Sequence, residues 1–591
     1  MKDRYDVIVI GSGAAGFSTA DWLVRFGVTD ICVVTENVRY GTSRNAGSDK
    51  QTYYKLDMCS DAGDSVRKMA EDLFAGGSMD GADALIEAAS SARCFMRLVE
   101  AGVPFPSDDY GRFAGYRTDH DNTERATSAG PLTSAYMTEK LEAKVRAAGT
   151  EILDGCQMIK LIVRDGVCGG VICLTEHGMR PLYAKAVILC TGAPAGIYSR
   201  SVYPECQTGA TGLAVEAGAE LANFQEWQYG IASVKFRWNL SGSYQQVVPR
   251  YYSVLPDGTE YEFLLNGREP SEVYSNVFLK GYQWPFDSAK LSGSSGIDML
   301  VFEELKKGRR VFLDYTRDPA GFRFSELTTE ARKYITDTGC MDESPYKRLM
   351  KLNPKAVQLY LSHGIDLSCE PLEISISAQH NNGGIRTDVN GESSVKNLFA
   401  VGEAAGKFGV YRPGGAALND TQVGGLRAAR YLAGMLGQID FPAYEAQLPA
   451  LPEVSSTPTL AALKRYFTLK MSDCTGVIRS CEETAALLGE LTELAGDFYG
   501  RVTAGREEIP DFFRFRASVF AMIALCRTVL DSARVIGSRG GSVSKSNGKV
   551  LDENKEYRKY ITVTSADGVS YVPVTPVPDE KIVFEKLLKK I

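Results

Sequence analysis

Apolar and polar positions at the start of the chain predict a strand, a glycine-rich turn, a helix and a second strand. The stretch YDVIVIGSGAAG (5–16) opens with a run rich in β-branched residues, and an amphipathic segment follows it to Phe26. A second apolar run, ICVVTE (31–36), closes the unit. Short apolar runs bounded by glycine are typical of buried strands, and an amphipathic segment between two of them is typical of a helix.

The glycines of this turn have the spacing of a dinucleotide-binding fingerprint. Gly11 permits the tight turn, Gly13 lets the backbone approach a pyrophosphate, and Gly16 lets the helix pack on the strand. The N-terminus of the helix presents free N–H groups and a partial positive charge to the phosphates. Glu36, at the end of the second run, is placed to accept hydrogen bonds from an adenosine ribose. The motif predicts a dinucleotide site and leaves NAD and FAD both open.

Two later apolar runs favour FAD. KAVILCTG (185–192) ends in Thr191-Gly192, and VKNLFAVGEAAG (395–406) runs into Gly402-Glu403. Both resemble further signatures of the glutathione-reductase-like FAD fold, in which a late Gly-Glu or Gly-Asp pair binds the ribityl chain. The resemblance implies a discontinuous Rossmann FAD-binding domain, residues 1–230 and 370–437, with residues 231–369 inserted as an α+β capping domain. The predicted fold class is therefore α/β.

The last part of the chain, residues 438–591, predicts a helical C-terminal domain. It opens with the Pro-rich FPAYEAQLPALPEVSSTPT and continues in three segments of helical periodicity. A short tail follows, in which KYITVTSADGVSYVPVTPV indicates two strands joined by an Asp-Gly turn.

The composition and charge of the chain exclude several classes of partner and cofactor. Hydrophobic residues make up 44% and charged residues 24%, the net charge is −7, and no Lys/Arg-rich block favours nucleic acid or an anionic membrane. No apolar run reaches the length of a membrane span.

The chain enters a strand at once, which leaves no room for a secretory signal, so we expect a cytoplasmic protein. Its thirteen cysteines include no C-x-x-C pair. We therefore expect reduced thiols and no metal, cluster or haem site.

The order of the motifs resembles the succinate dehydrogenase and fumarate reductase flavoprotein family, which includes L-aspartate oxidase and the flavoprotein subunit of adenylylsulfate reductase. The similarity spans nearly the whole chain. It is carried by GSGAAG (11–16), GTSRNAGS (41–48), CTGAPAGIYSRS (190–201), TGATGLAVEAGAELANFQEWQ (208–228), HNNGGI (380–385), GEAAG (402–406), YRPGGAALNDTQVGGLRAA (411–429) and ARVIGSRGGSVSK (533–545).

The resemblance implies FAD as the cofactor, held noncovalently. Family members with covalent flavin attach it through a histidine, and the matching segment GTSRNAG contains none. The residues expected to contact FAD are Gly11, Gly13, Ala14, Ala15, Gly16, Glu36, Asn37, Thr42, Ser43, Arg44, Gly47, Thr191, Gly192, Gly212, Gly402, Glu403, Ala417 and Leu418.

Three residues are candidates for catalysis. His380 matches the family histidine that hydrogen-bonds a substrate carboxylate, although a structural histidine is the alternative. Arg412 matches the arginine that clamps a carboxylate bidentately. The proton-donating arginine of the family has no clear counterpart. Spacing favours Arg250 for that role, and an ordinary surface arginine is the alternative.

The substrate is expected to differ from a four-carbon dicarboxylate. Where the family has Trp-Gln-Phe-His, this chain has Gly230 in place of the second substrate histidine, which leaves space for something larger or less charged. The aromatic residues Tyr282, Trp284 and Phe286 would line that space or form the core of the capping domain.

These parts predict hydride exchange between flavin N5 and the β-carbon of an activated C=C bond. His380 and Arg412 would polarise the activating carbonyl or carboxylate, and a helix starting near Ala416 would stabilise negative charge on the flavin. No second nucleotide-binding motif is present, so a separate carrier protein or reduced flavin would supply electrons. Two other functions stay open: an oxidase or dehydrogenase of the aspartate-oxidase type, and the flavoprotein subunit of an electron-transfer complex.

Overall fold

A seven-stranded sheet contains the strand-turn-helix-strand unit predicted at the start of the chain. The computed structural model describes residues 2–59, 63–205, 207–579 and 582–589. In spatial order the sheet consists of Glu151–Leu153, Ile31–Val34, Arg4–Ile10, Gly178–Leu189, Val167–Thr175 and Gln157–Arg164, with Leu398–Ala400 also paired to Gly178–Leu189. The central strands are parallel, with Val7 paired to Ile31 on one side and Ala186 on the other. Helices cover this sheet, which explains why its strands read as continuous apolar runs.

A second, six-stranded antiparallel sheet carries the capping region. Its strands, in spatial order, are Trp238–Asn239, Trp227–Ser233, Leu372–Asn381, Val311–Asp314, Arg250–Val254 and Glu260–Tyr261. The strands Trp227–Ser233 and Leu372–Asn381 pair directly, with Gln228 opposite His380. This sheet therefore takes strands from both sides of the sequence positions 230 and 370, and the division into domains stays a prediction.

The longer helices lie around these two sheets. They are Ala14–Arg25, Val66–Phe74, Gly81–Ala101, Thr133–Ala147, Pro270–Lys280, Ser294–Lys306, Thr329–Asp337, Pro345–Leu352, Pro354–Ser362, Ala416–Met435, Leu460–Cys474, Cys481–Gly496 and Ile509–Val535. Ala416–Met435 packs along Ala14–Arg25, the helix that follows the glycine turn. Within the described residues, no helix combines the length and the apolar character that crossing a bilayer requires.

The C-terminal region has the three helices and the strand pair expected from its sequence. The strands Tyr560–Ser565 and Gly568–Pro573 form a hairpin around Asp567-Gly568. The first of them also pairs with Leu221–Ala222. The tail therefore joins a small sheet with the N-terminal part of the chain, a contact that no local pattern indicates.

Candidate functional site

Two adjoining cavities lie at the carboxyl ends of the parallel strands. The first, of about 260 Å³, is lined by Ile10, Val34, Cys190 and Val401, residues at or just beyond the ends of four strands of the seven-stranded sheet. The second, of about 610 Å³, extends toward the capping region. The two cavities share the lining residues Thr42, Ala46, Gln51, Gln379, His380, Ala417 and Leu418. Ligands of open α/β sheets bind at this edge, so the pair forms one candidate site.

The glycine turn fits the dinucleotide that the sequence predicts. Gly11 has a φ of +108°, and a Cβ there would lie 2.5 Å from the Cys190 carbonyl oxygen. A Cβ on Gly16 would lie 1.9 Å from the Gly11 carbonyl oxygen, so only glycine allows the helix to pack this closely on the turn. Gly11 and Gly13 line the first cavity, whereas Gly16 supports them from outside it. The three glycines therefore have the roles that the fingerprint predicts: the tight turn, the approach of the backbone to the ligand, and the packing of the helix on the strand.

Most of the predicted cofactor residues line the first cavity. They are Gly11, Gly13, Ala14, Ala15, Glu36, Asn37, Thr42, Ser43, Thr191, Gly192, Glu403, Ala417 and Leu418. Gly47 lines the second cavity, where a Cβ would lie 2.7 Å from the Trp238 ring.

Four predicted contacts lie outside both cavities and have structural partners instead. Arg44 forms an ion pair with Glu142, with Nη2 2.5 Å from the carboxylate. Gly212 permits a close helix contact, and Gly402, with a φ of +66°, permits a turn beside the Ala15 side chain. Gly16 is the fourth. The sequence predicts all four as FAD contacts, because a motif indicates which segments approach the cofactor and not which of their residues face it.

Glu403 is held by two donors at the wall of the first cavity. Its carboxylate accepts hydrogen bonds from the Asn381 N–H at 3.0 Å and from the Tyr203 hydroxyl. Burial raises the pKa of the Glu403 carboxyl above its ordinary value. Tyr203 was not predicted from the sequence, because its contact with Glu403 joins segments 200 residues apart.

His380 lies at the junction of the two cavities. It occupies the end of the strand Leu372–Asn381 and is 9% exposed. Neither ring nitrogen has a hydrogen-bond partner among the residues that the structure describes. Burial, and then the charge of Arg412, hold the pKa of His380 well below its ordinary value. A neutral imidazole therefore faces the site, with its Nε2 3.8 Å from Glu403 Oε1 and neither nitrogen hydrogen-bonded, so it is available to a ligand.

Arg412 presents a cation to the second cavity. Its Nε donates to Asn382 Oδ1 at 3.0 Å, and its Nη2 donates to Gln228 Oε1 at 2.8 Å. Over residues 2–59, 63–205, 207–579 and 582–589, no carboxylate lies within ion-pair distance of this guanidinium. Burial lowers its pKa to about 10, so the group stays charged at neutral pH. Two neutral amides orient the guanidinium and leave its charge available to an anion.

Arg250 is not brought to either cavity, contrary to the spacing argument. Its guanidinium pairs with Glu260 at 2.7 Å, Glu262 at 2.6 Å and Asp314 at 3.2 Å. The register of the strand Arg250–Val254 places Arg250 directly opposite Asp314. The side chain is therefore saturated by carboxylates within the second sheet.

The expected space beside Gly230 is filled. A Cβ on Gly230 would lie 2.4 Å from Trp284 Cζ2, so the glycine accommodates the tryptophan ring. The Trp284 Nε1–H donates to Gln379 Oε1 at 2.8 Å. Trp284 and Tyr282 line the second cavity, and Phe286 is buried in the core. Tyr282 and Trp284 thus have the predicted role of lining the cavity, and Phe286 has the alternative role of a core residue.

The helix Ala416–Met435 begins where the sequence predicts and directs its N-terminus at the second cavity, through Gly414, Gly415 and Ala417. One turn further, Asp420 is buried beside Glu87, near the Lys407–Asp83 ion pair. Burial raises the pKa of Asp420 to about 6 and holds the pKa of Glu87 well above its ordinary value.

The raised carboxyl pKa predicts a pH-dependent effect of Asp420→Asn. The folded protein holds a proton on Asp420 that the unfolded chain has lost, so stability falls as pH rises through about 6. Relative to wild type, the variant should gain about 1.4 kcal/mol between pH 5 and pH 8. Denaturation midpoints of both proteins at the two pH values measure this. A difference between the two proteins that is independent of pH would contradict the assignment.

Comparison with known proteins places these residues in a wider context. The sequence family described as "FAD binding domain" matches residues 6–418. L-aspartate oxidase of Streptomyces coelicolor is 25% identical over 499 residues, which cover 81% of this chain and 78% of the oxidase. A fumarate reductase (CoM/CoB) chain of Methanothermobacter marburgensis is 26% identical over 438 residues, which cover 72% of this chain and 71% of the reductase chain. A solved mutant chain of E. coli quinol fumarate reductase has the same fold, with a TM-score of 0.72 at 19% identity and 98% coverage of both chains.

Proposed function

This chain belongs to the FAD binding domain family of flavoproteins, as do succinate dehydrogenase, fumarate reductase and L-aspartate oxidase. From this membership and the geometry of the site, we propose that the protein reduces the activated C=C bond of an unsaturated carboxylate. The match confirms FAD as the cofactor. Bound, reduced FAD would supply the hydride, and the proton that completes the reduction would come from water that enters the cavity from solvent. The chain supplies the groups that bind the substrate, orient it and stabilise the charge that develops on its carboxylate or carbonyl oxygen.

The observation that carries this proposal is the half-buried Arg412 guanidinium, which has no carboxylate partner in the described part of the chain. It lines the second cavity together with His380. Arg412 binds the substrate carboxylate, and the neutral His380 hydrogen-bonds the same group or the adjacent carbonyl oxygen. Negative charge that builds up there during reduction meets a fixed cation and a fixed donor, so the barrier falls.

The remaining wall of the second cavity favours a substrate with an aromatic or apolar substituent. Its rings belong to Tyr116, Phe278, Tyr282, Trp284 and Tyr334. Aromatic walls with a few convergent polar groups suit ligands that have an apolar body and one charged end. Lys50 and Arg117 also line this cavity, but both are exposed, so a second carboxylate beside them would stay in solvent, whereas the rings are buried or half-buried. We therefore place arylacrylates ahead of fumarate as substrates.

Electrons come from a separate carrier protein or from reduced flavin, since the sequence contains no second nucleotide motif. FAD is held noncovalently in this proposal, because segment 41–48 offers no histidine for attachment.

The proposal is tested by reducing the purified holoprotein photochemically without oxygen and then adding fumarate, urocanate, cinnamates and simple enones. We expect the flavin absorbance to recover quickly with at least one aryl-substituted enoate and more slowly with fumarate. Recovery with none of them, together with fast recovery in air, would favour an oxidase instead. That alternative has support from the similarity to L-aspartate oxidase over 81% of the chain. Recovery only with a carrier protein would favour an electron-transfer subunit.

A further inference from the structure

The C-terminal helix Ile509–Val535 forms part of the first cavity. Phe513, Arg514 and Ala517 from its first turns line that cavity together with Glu36 and Gln157. The helix lies outside residues 6–418, the part of the chain that matches the FAD binding domain family. The wall beside Glu36 is the wall expected to face the adenosine half of the cofactor. A segment outside the matched domain therefore covers that half.

Three contacts besides Arg514 fasten this helix to the N-terminal part of the chain. Gln157 Nε2 donates to the Pro510 carbonyl oxygen at 3.0 Å. Arg516 Nη1 donates to Glu216 Oε2 at 3.0 Å. A Cβ on Gly212 would lie 1.8 Å from the Ala517 carbonyl oxygen, so two helices meet at backbone distance there. Because the helix is held at several points, loss of the Arg516–Glu216 pair alone leaves the Gln157 and Gly212 contacts in place.

Arg514 makes the contact that involves the cavity directly. Its Nε and Nη2 donate to Glu36 Oε2 at 2.9 and 2.5 Å, and its Nη1 donates to Asp511 Oδ1 at 2.8 Å. The Arg514 and Glu36 side chains are 18% and 28% exposed. The guanidinium thus fixes one oxygen of Glu36, and no described residue donates a side-chain hydrogen bond to the other.

We propose that Arg514 is a positioning residue for FAD, which holds Glu36 in place to accept hydrogen bonds from the adenosine ribose, and that this helix closes the adenosine half of the site. The charge-assisted pair restricts the Glu36 rotamer before the cofactor arrives, so less conformational entropy is lost on binding. The inference depends on FAD as the cofactor and not on the reductase proposal, because neither residue lines the second cavity.

The test measures how fast the holoprotein loses FAD. After dilution into apo-glucose oxidase, which traps released FAD, the Arg514→Met variant should lose FAD about tenfold faster than wild type, the scale of a charge-assisted hydrogen bond. Arg516→Met is the matched control. Arg516 lies two residues along the same helix in an ion pair of similar exposure, and it does not line the cavity. Its release rate should stay within about twofold of wild type.

A double variant separates positioning from a general loss of structure. Glu36→Ala should also release FAD faster, and adding Arg514→Met to it should cause little further change, because Arg514 acts only through the Glu36 carboxylate. The absorbance spectrum of the bound flavin should be unchanged in all variants. Equal release from the Arg514 and Arg516 variants, or additive effects in the double variant, would overturn the proposal.

Discussion

Arg412→Met is expected to lower the rate of flavin reoxidation by the best unsaturated carboxylate about 10²- to 10³-fold, the scale of losing one preorganised charge-stabilising donor. The methionine keeps much of the length of the side chain and removes its cation. Asn382 and Gln228, which hold the guanidinium at 3.0 and 2.8 Å, would keep no charge to present to the substrate. Both binding and the stabilisation of developing charge are lost, so kcat and kcat/KM should fall together.

Stopped-flow absorbance of the photoreduced protein measures this effect, since the flavin reports its own reoxidation. Arg412→Lys should recover only part of the rate, because an ammonium keeps the charge without the planar fork that binds a carboxylate bidentately. Arg386→Met is the control. Arg386 directly follows HNNGGI (380–385), but its side chain is 40% exposed and pairs with Glu220. An Arg412→Met protein that binds FAD normally and reoxidises at the wild-type rate would contradict the role of Arg412 as the carboxylate clamp.

The cofactor end of the site was predictable from the sequence because its determinants are local. Gly11, Gly13 and Gly16 lie in one turn between a strand and a helix, and their spacing alone restricts which backbone can approach a ligand. Glu36 ends the next strand of the same unit. The partner of Glu36 was not predictable, since Arg514 lies 478 residues later and no periodicity links the two.

The substrate end shows where spacing arguments fail. Arg250 was placed in the site by its distance from a neighbouring motif, yet side-chain direction depends on strand register, and the register directs Arg250 at Asp314. At Gly230 the sequence predicts free space, since it shows that a side chain is missing and not what fills its place. The ring of Trp284, more than fifty residues later, occupies it. Both errors concern contacts between distant segments.

Gln228, which orients Arg412, lies two residues after Glu226, and Glu226 forms a buried ion pair with the C-terminal motif. Glu226 and Arg539 have side chains only 3% exposed, and Arg539 Nε donates to Glu226 Oε1 at 2.8 Å. Arg539 belongs to the stretch ARVIGSRGGSVSK that carries the family resemblance. Next to it, a Cβ on Gly541 would lie 2.1 Å from the Trp227 carbonyl oxygen. The motif therefore packs against the start of the strand Trp227–Ser233.

Arg539→Met is expected to lower the free energy of unfolding by about 3–5 kcal/mol, because it leaves the Glu226 carboxylate buried without its counterion. Denaturant midpoints followed by tryptophan fluorescence measure the loss, and Trp227 is an internal reporter beside the site. Adding Glu226→Gln should restore part of the stability, since a neutral amide needs no counterion. The exposed Arg386→Met control should change stability by less than about 1 kcal/mol. If the double variant is no more stable than Arg539→Met alone, loss of packing and not an unpaired charge causes the effect, and the ion pair does not anchor the strand that positions Arg412.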